Sequence, residues 1–328
     1  MYSKHKSITL SNGSVSFLSN NLSAVELPET KSIGYATVHK SSVRISHFST
    51  TESQPISLKT VTPVEQQPGS NMGTNVMQVA WCPLSTGRLI LTVAFTKGIQ
   101  MYENNGTLLL FSFQMPLLYE KQETMFARGI CSIDSHICIG TSMGDIYTFQ
   151  IPDKGKEICE SETLKEHNYP VCDVTASKTF LGSCDENGKI VVWDNHFQKL
   201  KVIQSNKDKG SCCSISIWND LIIGGYETGH IQIFSIASGK IKIQISAHAR
   251  WIHSIDVATE TGLLLTSSED SFVRVWNLPR SGSSQIQLMY QDSVTDVQLV
   301  GAKFSDNQGQ MFALTGYDLV DIIQYKQK

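Results

Sequence analysis

Six short stretches of this chain repeat one pattern: "GIQMY" (98–102), "DIYTF" (145–149), "KIVVW" (189–193), "HIQIF" (230–234), "FVRVW" (272–276) and "DIIQY" (321–325). Each ends on a ring and carries an aliphatic residue three positions earlier: Ile99, Ile146, Ile190, Ile231, Val273 and Ile322. Alternation of apolar and polar residues within each stretch is the period of a half-buried strand. A weaker copy, "VRIS" (43–46), puts Ser46 where the others have a ring. The ring positions are separated by 47, 44, 41, 42 and 49 residues, after a first step of 56 from Ser46.

A period near 40–50 residues built from short strands is the mark of propeller blades. Two strand-like segments precede each ring. Ile252, Ile255 and Val257 form one in the sixth repeat, and "LLLTS" (263–267) the next. Matching first strands read as Val76, Val79 and Trp81, as Cys212, Ile215 and Ile217, and as Val294, Val297 and Leu299. A fourth segment follows each ring, such as "IKIQIS" (241–246). Each blade therefore reads as four antiparallel strands, a to d, with the ring ending strand c.

The last blade lacks a strand, because only three residues follow Tyr325. "SITLS" (7–11) belongs to no repeat and is expected to supply it, which closes the ring and removes two sheet edges. The expected fold is all-β: a single seven-bladed propeller over residues 1–328, its last blade closed by the N-terminal strand. "ISLKTV" is expected as strand d of the first blade, and residues 62–74 as a mobile loop.

At 328 residues, 41% hydrophobic and 17% charged, the composition is that of a folded chain. A net charge of −3 offers no basic field for nucleic acid. The eight cysteines form no C-x-x-C pair, so no metal and no cofactor are expected. "MYSKHKSITL" lacks the apolar core of a signal peptide, which leads to the expectation of an intracellular, reducing compartment.

The residues also resemble the WD-repeat family of β-propellers. Trp193–Asp194 is the literal dipeptide and Trp276–Asn277 a relaxed form. In that family a His before strand a, a Ser or Thr on strand b, an Asp at the b–c turn and the Trp form a hydrogen-bonded set. The resemblance assigns those places to His248, Ser268, Asp270 and Trp276 in blade six, and to His167 and Trp193 in blade four, where Asp185 or Asn187 fills the turn. "GIQMYENNG", "MFARGI", "AHARWIHSIDVATETG" and "FALTGYDLVDI" resemble one subfamily. That likeness implies a non-catalytic adaptor, cytoplasmic, associated with vesicles or the plasma membrane and able to self-associate.

Catalytic readings are weaker. Ser268, His248 and Asp270 are the residue types of a nucleophilic triad, but no oxyanion hole or open pocket is marked beside them. "GTSMG" (140–144) matches a nucleophile elbow, which requires a following helix; here strand "DIYTF" follows, so it reads as a hairpin turn with Gly144 at positive φ. "GGYETGH" (224–230) is another turn. The Trp-Asp-x-Arg of cullin-4 adaptor receptors and the Phe-Arg-Arg-Gly of phosphoinositide-binding propellers are both missing.

The expected role is a protein-interaction scaffold. An enzyme using the central channel is the rival, disfavoured because strand a reads as mostly aliphatic. A peripheral membrane module is another, with Arg250 and Trp251 as its one compact hint. Counting back from the first aliphatic of strand a aligns Asn75, Gly129, Pro170, Ser211, Trp251 and Ser293 on the face where loops converge. Arg250, Arg128, Tyr169 and Asp292 then hold the place before them. Trp, Tyr and Arg dominate interface hot spots, so Trp251, Arg250, Arg128, Tyr169 and Asp292 form the expected partner-binding set.

Overall fold

The computed structural model describes residues 1–10, 13–49, 55–64, 74–118, 123–205, 207–279 and 285–328. Seven four-stranded antiparallel sheets account for nearly all of its strands, beside a two-residue ribbon pairing Leu117–Leu118 with Glu123–Thr124. There is no α-helix among the described residues. In blade six the order is Ile252–Ala258, Leu263–Ser268, Phe272–Asn277 and Gln287–Ser293, from channel to rim.

The alternation within strand c explains the ring. Ile231 and Ile233 pack towards blade six, whereas Phe234 packs towards blade four. The buried apolar residues fall into seven clusters, each joining two neighbouring blades. An open arc of seven blades would have six such cores, so the seventh, formed by Ile8, Ile33, Phe48 and Ile322, records closure. Tyr2–Thr9 completes the last blade by pairing antiparallel with Asp321–Gln327. The strand starts five residues before the expected 7–11, and residue 11 lies outside the described residues. Tyr2 is buried and its ring lies 5.0 Å from Phe312. Lys4 and Lys6 hid the strand, because an outermost strand tolerates charge on its wet side.

Two registers differ from expectation. The ring of blade one is Phe48, not Ser46. A bulge against strand d sits just before the ring in every blade, between Met101 and Tyr102 and between Val275 and Trp276, and in blade one it falls between His47 and Phe48. Ile45, three residues earlier, keeps the same spacing. Strand a of blade seven is Leu299–Phe304, so Val294 and Val297 precede it. Their alternation imitates a strand, but the Val297 N–H closes a turn on the Val294 carbonyl and Asp296 has φ 59°. Strand d of blade one is Pro55–Val61, as "ISLKTV" suggested. Of the loop expected over 62–74, residues 65–73 lie outside the described residues. Gly144, with φ +88°, does turn one strand into the next.

Candidate interaction face

Beneath the face bearing the d–a connections and b–c turns lie two polar sets. In blade six a chain of donors begins at the Trp276 indole, whose N–H can only donate. Nε1 lies 3.1 Å from Thr266 Oγ1, and that hydroxyl lies 2.9 Å from His248 Nε2. Nδ1 of the same ring is 3.0 Å from both Asp270 carboxylate oxygens. Trp276 therefore donates to Thr266, Thr266 to His248, and His248 to Asp270. Burial pushes the His248 pKa down, opposed by Asp270 and reinforced by Arg274, which is the direction this chain of donors requires. Burial alone would raise the Asp270 carboxyl. The His248 contact and the N–H groups of Ala249 and Phe272 outweigh it and hold the group well below the ordinary range.

Ser268 is not the relay. Its hydroxyl donates to the Arg250 carbonyl at 3.2 Å and accepts the Asp270 N–H at 3.1 Å, so it shapes the turn. Thr266, two residues earlier, points the same way on the strand and reaches the indole; period two makes such slips easy. In blade four His167 Nδ1 lies 2.8 Å from Asp185, which takes the turn position rather than Asn187, and Nε2 lies 2.5 Å from Ser183. The His167 and Trp193 rings are 6.4 Å apart. Ser183 and Thr266 hold the same place on strand b, facing Trp193 and Trp276 across two residues, where other blades have Val93, Ile139, Gly224 and Leu314. Both sets are built from mutually bonded side chains, and the blade-six set holds the Trp276 indole.

The expected partner set divides. Trp251 and Tyr169 stand on d–a connections with 43% and 50% of their surface exposed, and Arg250 is exposed beside Trp251. Trp251 does not fold down into the core; its ring is 6.1 Å from that of His253. Phe17, Met143 and Val320 are further exposed apolar side chains on this face. Arg128 does not belong to the set. It occupies the bulge position of strand a, equivalent to His253, and binds the Val171 carbonyl (3.1 Å), Cys172 Sγ (3.3 Å) and Glu186 (3.0 Å). It ties blade three to blade four. Asp292 lies in strand d of blade six, where its carboxylate accepts the Tyr325 hydroxyl at 2.8 Å. Both were misplaced because strand a of blade three starts at Ala127, not Ile130, and that of blade seven at Leu299. The residues equivalent to Trp251 in those blades are Phe126 and Gln298.

The channel is more polar than the sequence suggested. Every pair of neighbouring blades shares a bond from or beside strand a. Trp81 N–H reaches Ser23 at 3.1 Å, Gly129 N–H reaches Gln78 at 2.6 Å, and Ile255 N–H reaches Ser214 at 3.0 Å. Asp173, buried, accepts the Val174 N–H at 2.9 Å and the Ile215 N–H at 3.0 Å. Asp256 accepts the Phe304 N–H at 2.7 Å and pairs with Lys303 at 3.1 Å. Burial raises the Asp173 carboxyl, with the backbone donors opposing. These groups each hold a neighbouring backbone, so they read as spokes of the ring and not as acid–base machinery. Among the described residues no cluster of three His, Cys, Asp or Glu side chains is placed to hold a metal.

The WDR54 family model matches residues 1–327. The chain belongs to the WDR54 family. It is 32% identical to WD repeat-containing protein 54 of Homo sapiens, and likewise to WD repeat domain 54 of Rattus norvegicus, over 99% of each chain. This is the subfamily the four sequence stretches resembled. Among solved structures, the WDR54-family chain superposes on the RRP9 WD40 repeats with a TM-score of 0.74 at 16% identity, covering 100% of each chain. A chain of the Mitotic Checkpoint Complex gives 0.77 at 12%, covering 99% of this chain and 95% of the other. At those identities the likeness shows the fold, a seven-bladed WD40 propeller. Propellers of this family typically mediate protein–protein contacts.

Proposed function

We infer that this WDR54-family propeller is a non-catalytic scaffold that presents its d–a loops to protein partners in the cytoplasm, in membrane-proximal signalling. The observation that carries the reading is the exposure of Trp251 and Tyr169 together on one face of a rigid ring. Trp and Tyr bury much area on binding at little entropic cost and are enriched at interface hot spots. Arg250 supplies a donor fork beside Trp251. Self-association and residence at vesicles or the plasma membrane are supported by the subfamily resemblance alone.

The test is a Trp251→Ala, Tyr169→Ala double variant compared with the parent by proximity labelling in cells. Loss of a set of labelled neighbours, with an unchanged melting profile, is the expected result. If every neighbour is retained, another surface binds. A variant that melts early shows instead that the rings are structural.

A further inference from the structure

The connection from the closing strand to blade one, like 62–75 and 115–126, is a long one. Five residues suffice in 166–170, 247–251 and 294–298, whereas residues 10–22 number thirteen. The surplus is not left on the surface. The Asp318 N–H donates to the Ser14 carbonyl at 2.6 Å and Phe17 stacks on Tyr317, centroids 3.6 Å apart, so the stem crosses the top of blade seven. The tip, Ser19–Asn20, then enters the channel mouth.

There it touches strand a of three blades, and Asn21 adds a fourth. Ser19 Oγ lies 3.0 Å from His253 Nδ1, and the Asn20 N–H donates to the His253 carbonyl at 2.9 Å. The Asn20 carboxamide oxygen accepts the Ser214 hydroxyl at 3.0 Å, and the carboxamide also hydrogen-bonds the Asp173 carboxylate. The Asn21 N–H donates to the Val300 carbonyl at 3.0 Å. Asn20 is buried and has φ 57°, a conformation Asn tolerates better than most residues. Below the tip a cavity of about 590 Å³, lined by strand a of the blades and by Pro28, Pro83, Thr259 and Asn307, continues towards the opposite face. The tip is a stopper for one end of the channel.

Around it stand a buried carboxylate, a buried hydroxyl, an imidazole nitrogen and a backbone carbonyl, all aimed at one polar turn. The carboxylate and the hydroxyl meet the carboxamide itself, while the imidazole takes the Ser19 hydroxyl and the carbonyl accepts the Asn20 N–H. We propose that this mouth is a binding site for an asparagine-bearing turn, occupied here in cis by Ser19–Asn20. A partner loop with an exposed Asn takes the site when the tip withdraws. The site lies on the same face as Trp251 and Tyr169, and only the choice of face rests on the scaffold reading. Withdrawal also frees Phe17, already half-exposed, to meet the partner.

Two measurements on the full chain decide it. Hydrogen exchange in the parent protein should show the Asn20 and Asn21 amides exchanging at least tenfold faster than those of Ile215 and Ile255, because the tip opens without the ring. Equal rates would mean that the tip leaves only on global unfolding, and the proposal fails. The second uses Ser19→Gly with Asn20→Gly, which keeps the loop length and suits the positive φ. A labelled peptide of residues 16–22, SFLSNNL, should bind this variant at least tenfold more tightly than the parent. The same peptide with Leu replacing Asn20 should bind neither. No binding to a folded variant, or equal binding of the Leu peptide, overturns the proposal. Should the variant not fold, the exchange rates still decide. The Trp251 and Tyr169 experiment uses other residues and another readout, so the two readings fail separately.

Discussion

Thr266→Val tests the donor chain of blade six at its centre. Valine keeps the shape of threonine and removes only the hydroxyl. Trp276 Nε1–H then loses its acceptor at 3.1 Å and His248 Nε2 its donor at 2.9 Å, both inside the blade. Leaving a buried polar group unsatisfied costs about 1–3 kcal/mol, so two such groups cost about 2–6 kcal/mol. The methyl gained in exchange recovers about 0.8 kcal/mol. A net loss of about 1–5 kcal/mol is expected. Unfolding entropy near 2.1 cal/mol/K per residue, over 328 residues, converts each kcal/mol to about 1.5 °C. The midpoint should therefore fall by roughly 2–8 °C, with a matching shift in urea. Ser268→Ala is the control. Its two partners are turn groups near the surface, and about 1 kcal/mol is expected there. Thermal and urea melts of both variants give the ordering. If Ser268→Ala costs as much as Thr266→Val, the relay is wrongly placed.

Deleting residues 1–9 removes the strand paired with Asp321–Gln327 and the buried Tyr2 ring; light scattering should show association through the bared edge, and an unchanged monomer would remove the N-terminal strand as the clasp. Burial pushes the pKa of His248, His253 and His47 below the ordinary value, so the unfolded chain binds more protons. That stability is fully present above about pH 6.5 and drains away as pH falls through the folded values; a melting midpoint flat from pH 7.5 to 5.5 would contradict it. Gly229 and Gly87 both have positive φ, but a Cβ on Gly229 would collide with the His248 carbonyl while one on Gly87 meets nothing. Gly229→Ala should thus lower the midpoint several degrees more than Gly87→Ala, and equal losses would show that φ alone is felt.

The repeat was legible because strand c is buried on both faces and so must spell out its rings and aliphatics. Thr266 was missed by two residues for the opposite reason: Ser267 and Ser268 follow it, and a run of small hydroxyls carries no register. Arg128 and Asp292 were misassigned where Ala127 opens a strand too quietly and Val294 imitates one. The Ser19–Asn20 tip left no signal at all. Its partners Asp173, Ser214 and His253 are separated by about 40 residues each, and nothing within any one strand a marks them as a set. Only closure of the ring brings them to one axis, since each comes from strand a of a different blade. A propeller channel is written one residue per repeat. Its chemistry becomes readable only when the blades are aligned on their strand-a bulges, where Arg128, Cys172, Cys213 and His253 share one position, with Gly129, Asp173, Ser214 and Ser254 next to it.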